Sequence, residues 1–240
     1  MFKKQGLDFL AISIVGMAAA IGGVNAWAHT TLELPSVPEG ARSSNNIIIG
    51  HGCGERNVIG TSVVFPDGVD STITVDGQPH TGALTDFTDW GNSIQKNYSR
   101  AIFSFEDEKT VNSNVVGFWA GGGNSLPHHL NGYIPFRVGS VTIKPDSCAT
   151  SVKFHVSVVD ICEITATSGF NDDTVNKWTL AGLGTPYDST EDGAASLTIT
   201  RTSVLPESCG TGSAVEVKPS AAQLNRDMPI KLDGVQVWPQ

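Results

Sequence analysis

Short runs of β-branched and aromatic residues, bounded by Gly, Pro, Asp and Asn, recur along most of this chain. Such runs are typical of strands, and no long stretch has apolar residues at the i, i+3, i+4, i+7 spacing of an amphipathic helix. Alternation is clearest in SVKFHVSVV, where Val152, Phe154, Val156 and Val158 share one face. Many short strands at regular spacing predict an all-β sandwich or barrel.

The strand pattern changes near residue 165. Residues 168–192 are predicted to be a loop, and strand-like runs resume near residue 195. We therefore expect a main β-sandwich over residues 29–165 and a β-rich C-terminal extension over residues 166–240. The pattern leaves open whether the extension joins the same sheets as the main sandwich.

The beginning of the chain is typical of a secretory signal peptide, residues 1–28. Two lysines precede a mostly apolar run, residues 9–24, which is shorter than the roughly 20 residues of a bilayer-spanning helix and is followed by small residues. Cleavage after Ala28 is favoured over cleavage after Ala26, and it makes His29 the first residue of the mature chain. The leader predicts a periplasmic or secreted protein with no membrane attachment after cleavage.

Charge and cysteine content restrict the partners and the compartment. The formal net charge is −9 at pH 7, which argues against nucleic acid because nucleic-acid binders concentrate Lys and Arg. The four cysteines, Cys53, Cys148, Cys162 and Cys209, all follow the leader. An even number in an oxidising compartment predicts two disulfides, and three connectivities fit four cysteines.

A histidine at a chain terminus has two nitrogens that can bind one metal ion, the free α-amine and ring Nδ1. Together they close a six-membered chelate ring, and nitrogen ligands of this type suit Cu(II) best. The amine titrates near ~8 in model peptides, so a metal displaces its proton easily at neutral pH. This chemistry depends on cleavage after Ala28. The alternative is that His29 is an ordinary residue that follows a signal peptide.

From His29 onward the chain resembles the YcnI-like (DUF1775) family of exported copper-binding domains. The matching segments are HTTLELPSVPEG, IIIGHGCGERNVIGTSVVFPDGV, GFWAGGGNSLPHHLNGYIPFRV and FHVSVVDIC, within about residues 29–163. The resemblance implies an immunoglobulin- or cupredoxin-like β-sandwich outside the cytoplasm. It also implies one Cu(II) held by the amine and ring of His29, with Trp119 as the tryptophan that shields the metal.

The resemblance also implies disulfide pairing, since Cys53 and Cys162 occupy positions that look paired in the family. Cys148 is then left to pair with Cys209. Cu(I) would be the alternative metal if a cysteine thiolate were free, because thiolates are soft ligands. Disulfide formation makes Cu(II) the favoured ion.

One family ligand has no match in this chain. The family's carboxylate falls near Ser43, where there is no Asp or Glu, and Glu33 lies roughly 13 Å from His29 by strand rise. Other nitrogen ligands are therefore candidates, namely His51 in the HGC segment and the pair His128 and His129 in the loop after Trp119. Each candidate has a simpler reading, as a turn, surface or core residue.

The leading functional hypothesis is a non-catalytic exported protein that captures copper at His29 and hands it to a copper-trafficking or membrane copper-transport protein. A second hypothesis is a metal-free structural or adhesive β-sandwich. A third is a copper monooxygenase of the lytic polysaccharide type, but HTTLELP lacks the Gly and Ser-Arg of that family's opening. The chain contains no HExxH motif or other hydrolase signature.

Overall fold

The computed structural model describes residues 29–240, and the predicted signal peptide, residues 1–28, lies outside the described residues. Between residues 29 and 240 the chain forms sixteen strands and one short α-helix, which confirms the all-β prediction. The strand bounds are β1 (Thr31–Leu32), β2 (Ser36–Pro38), β3 (Ser43–Ile49), β4 (Val58–Val64), β5 (Ser71–Val75), β6 (Gln78–His80), β7 (Ile94–Lys96), β8 (Phe105–Val111), β9 (Asn114–Leu126), β10 (Gly132–Val138), β11 (Ala149–Ile161), β12 (Val175–Trp178), β13 (Ala195–Thr200), β14 (Ser213–Pro219), β15 (Ile230–Leu232) and β16 (Val235–Trp238). The helix α1 spans Ala221–Asp227.

Two main sheets form the sandwich. The small sheet has the order β1-β3-β10-β7, and the large sheet has the order β6-β5-β14-β11-β4-β9-β8. Strands β12 and β13 also pair with β11, and β2 pairs with β13. Strand β11 spans thirteen residues and belongs to both halves of the large sheet. Its N-terminal half pairs with β13 and β14, and its C-terminal half pairs with β4 and β12.

The core lies between the inner faces of the two sheets. Phe136 of the small sheet contacts Phe118 and Phe65, with ring centroids 5.6 and 5.5 Å apart. The four alternating residues of β11 named above all have an exposed fraction of 0%, which confirms the predicted inward face. Burying each such side chain contributes about 1.5–3 kcal/mol, so the alternation fixes the register of β11.

The C-terminal extension is part of the same sandwich. Strand β14 lies between β5 and β11, and both β12 and β13 pair with β11. Residues 166–240 therefore supply strands to the sheet that residues 29–165 begin. Part of the predicted loop over residues 168–192 is wrong, because β12 lies within it. Its four residues, VNKW, are too few to give a periodic signal and are held by pairing with β11.

Both implied disulfides are present. Cys53 bonds to Cys162 and Cys148 bonds to Cys209, with Cα atoms 6.0 and 5.2 Å apart. The two bonds lie near opposite ends of β11. Within residues 29–240 no helix has the length and apolar character needed to cross a membrane.

A second apolar cluster covers the outer face of the large sheet. It includes Trp119 of β9, Val159 of β11, Leu224 of α1 and Trp238 of β16. Ser220 caps α1 by accepting a hydrogen bond from the amide of Gln223. A helix of seven residues is unstable alone in water, so packing on the sheet holds it.

The ammonium of Lys109 lies between the sheet and α1. It donates hydrogen bonds to Ser62 Oγ (2.5 Å) and to the carbonyl oxygens of Asp227 (2.6 Å) and Met228 (3.0 Å). Desolvation lowers the pKa of Lys109 from 10.5 to about 7, and the Asp227 carboxylate opposes that shift only partly. The folded protein therefore releases this proton at lower pH than the unfolded chain does.

We expect a pH-dependent stability from Lys109. Between the folded pKa and the unfolded pKa the unfolded state binds more protons, so the contribution of Lys109 to stability rises with pH from about 7 to about 10. Urea unfolding of wild type and Lys109→Met across this range measures the effect. The free energy of unfolding of wild type should rise with pH relative to that of Lys109→Met. A difference that stays constant with pH would show that Lys109 keeps an ordinary pKa. Lys153→Met serves as the control, because the half-buried Lys153 side chain lies on the outward side of β11 near Glu216.

Candidate metal-binding site

The exposed side chain of His29 rests on the indole of Trp178. The two ring centroids are 4.8 Å apart, and the ring planes are inclined by 39°. Trp178 ends β12, is 8% exposed and belongs to the main core cluster. His29 therefore lies at the surface against a fixed aromatic wall.

His51 approaches the same indole. Its ring lies edge-on to Trp178 at a centroid distance of 5.7 Å and an angle of 85°. The Nδ1 atom of His51 is 2.5 Å from the carbonyl oxygen of Gly52. A carbonyl oxygen only accepts, so Nδ1 carries the proton and Nε2 of the neutral ring keeps its lone pair for a ligand.

The turn that holds His51 is fixed on three sides. The Gly52 amide donates to the His128 carbonyl (2.9 Å), and the Asn176 side chain donates to the Gly52 carbonyl (2.9 Å). A Cβ at Gly52 would lie 2.0 Å from the Arg56 carbonyl oxygen, so only glycine fits. The next residue, Cys53, is bonded to Cys162 beyond the end of β11.

A buried carboxylate, Asp160, lies behind the indole. It accepts hydrogen bonds from Thr30 Oγ1 (2.6 Å), Thr61 Oγ1 (2.8 Å) and Trp178 Nε1 (2.9 Å). Burial raises the pKa of Asp160 to about 6, while the three donors and the nearby His51 act in the opposite direction. Asp160 thus connects Trp178 to Thr30 by hydrogen bonds. Because Thr30 follows His29 directly, these bonds restrict where the His29 side chain can lie.

Trp119 lies on the other face of the sheet. Along β9, Phe118 faces the main core and Trp119 faces the outer cluster, because successive strand residues point to opposite faces. The tryptophan that contacts His29 is Trp178. Sequence reasoning missed Trp178 because it stands in a segment predicted to be loop, and it missed Asp160 because VVDIC resembles an ordinary buried strand.

His128 and His129 contact each other, with ring centroids 5.0 Å apart. The backbone of His128 borders the His51 turn through Gly52. Within residues 29–240 no group of three or more His, Cys, Asp or Glu side chains is arranged to hold a metal ion. Neither His128 nor His129 therefore forms a three-ligand cluster with His29 and His51.

The remaining sequence candidates lie outside this arrangement. Glu33, on the exposed side, accepts a hydrogen bond from Asn46 Nδ2 at 2.5 Å, and Ser43 begins β3. All four cysteines are in disulfides, and no free cysteine occurs in the described part of the chain. Among the candidate ligands, His29 and His51 are thus the two whose imidazoles contact the same indole, that of Trp178.

Comparison with known proteins identifies no family for this chain. No protein-family model and no curated protein matches the chain. One solved structure, an uncharacterized protein from Nocardia farcinica described as having an immunoglobulin-like fold, is similar over 72% of this chain and 99% of its own. The TM-score is 0.39 and the sequence identity is 13%, so this likeness assigns no function.

Proposed function

We propose that this protein is an exported copper-binding protein of the YcnI-like kind, with His29 as the first residue of the mature chain. One observation carries the proposal: the imidazoles of His29 and His51 both lie against the indole of Trp178. Two nitrogen donors beside one aromatic wall suit a borderline metal ion better than a carbohydrate or an anion.

The third nitrogen donor is the α-amine that cleavage after Ala28 would create. The described side chains offer only two donors here, and two imidazoles hold a divalent ion weakly. The α-amine and Nδ1 of His29 would close a chelate, and Nε2 of His51 would complete a set of three nitrogens. Such a set favours Cu(II) under the order of divalent affinities.

The surroundings favour transfer of copper over catalysis. Trp178 covers one side of the site and excludes water there, and its ring face attracts a cation. His29 is exposed, so the opposite side stays open to an incoming ligand. The protein would capture Cu(II) and release it by ligand exchange to a copper-trafficking or membrane copper-transport protein.

The decisive experiment combines intact mass with copper titration. Untagged protein exported by the cell should begin at His29 and bind one Cu(II), with nitrogen hyperfine coupling in its electron paramagnetic resonance spectrum. His29→Ala should lose binding, and His51→Ala, which removes a direct ligand, should weaken it at least ~10-fold, a change of about 1.4 kcal/mol. Acetylation of the His29 α-amine keeps both imidazoles but removes the chelate, so the acetylated protein should bind Cu(II) more weakly than the unblocked protein.

His80→Ala is the matched control. His80 hydrogen-bonds to Asp86 (2.9 Å) and contacts Phe87, away from Trp178, so its removal should leave copper affinity unchanged. A mature chain that begins at Trp27, or one that begins at His29 and retains no copper after dialysis, would refute the proposal. A metal-free β-sandwich would then be the better account.

A further inference from the structure

An apolar cavity of about 220 Å³ lies on the outer face of the large sheet. It is partly open to solvent and is lined by residues of the sheet and of the β15–β16 hairpin. Its buried residues belong to the outer cluster and not to the main core that contains Trp178. The lining residues share an apolar character: Ile59, Gly60, Phe105, Trp119, Gly121, Gly122, Ile161, Ile164, Ile230, Leu232, Val237 and Trp238.

The floor of the cavity is made by two paired glycines. Gly60 of β4 is opposite Gly121 of β9, and the same row continues to Ile161 on one side and Phe105 on the other. Neither Gly60 nor Gly121 has a positive φ, so backbone conformation does not require glycine at either position. Glycine inside a strand weakens the strand and often marks a place where a ligand approaches the backbone closely.

An added Cβ at Gly121 would lie 3.3 Å from Gly60 Cα. Glycine at both positions therefore keeps the floor flat and leaves a slot about two strands wide between two large side chains. Trp119 and Trp238, which are 6% and 2% exposed, are fixed by packing at the walls. The slot is thus held open by rigid groups.

Apolar surface remains exposed at this slot. Phe105 is 55% exposed, Ile164 is 52% exposed and Leu232 is 45% exposed, and all three line the cavity. An occupant would remove this surface from water, which is the main source of affinity for an apolar site. A molecule bound at this slot would therefore bury the exposed apolar surface of Phe105, Ile164 and Leu232.

The lining selects a neutral ligand. No charged side chain of residues 29–240 lines the cavity, and a charged group placed there would lose its hydration without gaining a partner. An engineered apolar cavity of about 150 Å³ holds benzene, so about 220 Å³ accommodates a somewhat larger molecule. Three aromatic side chains and a flat floor favour a planar shape.

We infer that this cavity binds a neutral, planar aromatic molecule about the size of two fused rings. Binding here is independent of copper, because the cavity and the His29–Trp178 site are on opposite faces of the sheet. Two lining residues, Trp119 and Trp238, carry an indole N–H, and that of Trp238 is buried without a hydrogen-bond partner among the described residues. A hydroxyl or carbonyl on the ligand is therefore tolerated on that side.

The test uses 2-naphthol and copper-free protein, followed by amide chemical shifts in nuclear magnetic resonance. Saturable binding should shift the amides around Gly60, Gly121 and the β15–β16 hairpin. Phe105→Ala removes one wall, and Ile164→Glu introduces a charge at an exposed lining position. Each should weaken binding at least ~10-fold, while both residues are exposed enough for the variants to fold.

Val204→Glu is the matched control, because Val204 is 92% exposed and does not line the cavity. It should bind 2-naphthol as wild type does. The inference is overturned if folded wild type gives no saturable shifts up to the solubility limit of the probe. It is also overturned if the shifts fall elsewhere, or if Phe105→Ala and Ile164→Glu bind as well as Val204→Glu. His29→Ala should bind 2-naphthol normally, which separates this result from the copper experiment.

Discussion

Asp160→Ala is expected to lower the free energy of unfolding by about 3–5 kcal/mol. The substitution leaves three donors without their acceptor, the hydroxyls of Thr30 and Thr61 and the indole N–H of Trp178. Both threonines and Trp178 are buried, and each buried unsatisfied group costs about 1–3 kcal/mol. Urea denaturation followed by tryptophan fluorescence measures the loss.

Asp160→Asn is the control for this prediction. Asparagine keeps one carbonyl acceptor in the same place, and rotating threonine hydroxyls can accept from its amide group. We therefore expect a smaller loss than for alanine. If Asp160→Ala cost less than about 1 kcal/mol, the carboxylate would not be holding Thr30 and Trp178. The copper affinity of the two variants would then be expected to match that of wild type.

Replacing both Cys53 and Cys162 by alanine is expected to lower the free energy of unfolding by about 4 kcal/mol. The two residues are separated by 109 positions, and a bond that closes so long a loop removes much conformational entropy from the unfolded chain. The same change frees the turn that carries His51, so copper affinity should also fall. Denaturation and copper titration of the double variant give the two quantities.

The second disulfide separates these two effects. Cys148 and Cys209 are separated by 61 positions, so their double alanine variant should lose nearly as much stability. That bond is near the start of β11, whereas Cys162 follows its end. Copper affinity should therefore stay unchanged in this second variant. A fall in copper affinity in both variants would mean that general destabilisation, and not the position of His51, is responsible.

The sequence predicted the fold class because strand signals are local. The alternation over Val152–Val158 fixes one inward face, and the structure buries it fully. The placement of β14 between β5 and β11 could not be predicted, because a parallel pairing between distant segments leaves no periodic trace. The open question about residues 166–240 was therefore answered only by the sheet order.

The candidate site was predicted only in part, because its members are distant in sequence. His29 and His51 were both candidates, but the side chain that joins them, Trp178, comes from a four-residue strand. Trp119 stands in an apolar run, VVGFWA, whereas Trp178 follows two polar residues in VNKW. Only the sheet register decides that one faces the outer cluster and the other the main core. Alternation predicts which residues share a face of a strand. It does not predict whether that face packs in the main core or in the outer cluster.

The pairing of β11 with strands from both halves of the large sheet has a consequence for how the chain folds. Because β4 and β14 both hydrogen-bond to β11, this strand cannot acquire its full set of neighbours until residue 219 is available. Pairings between such distant segments make folding slow. A chain that emerges N-terminus first would therefore hold β11 with an open edge while residues 162–219 are still being synthesised or translocated, and that interval is when self-association competes with folding.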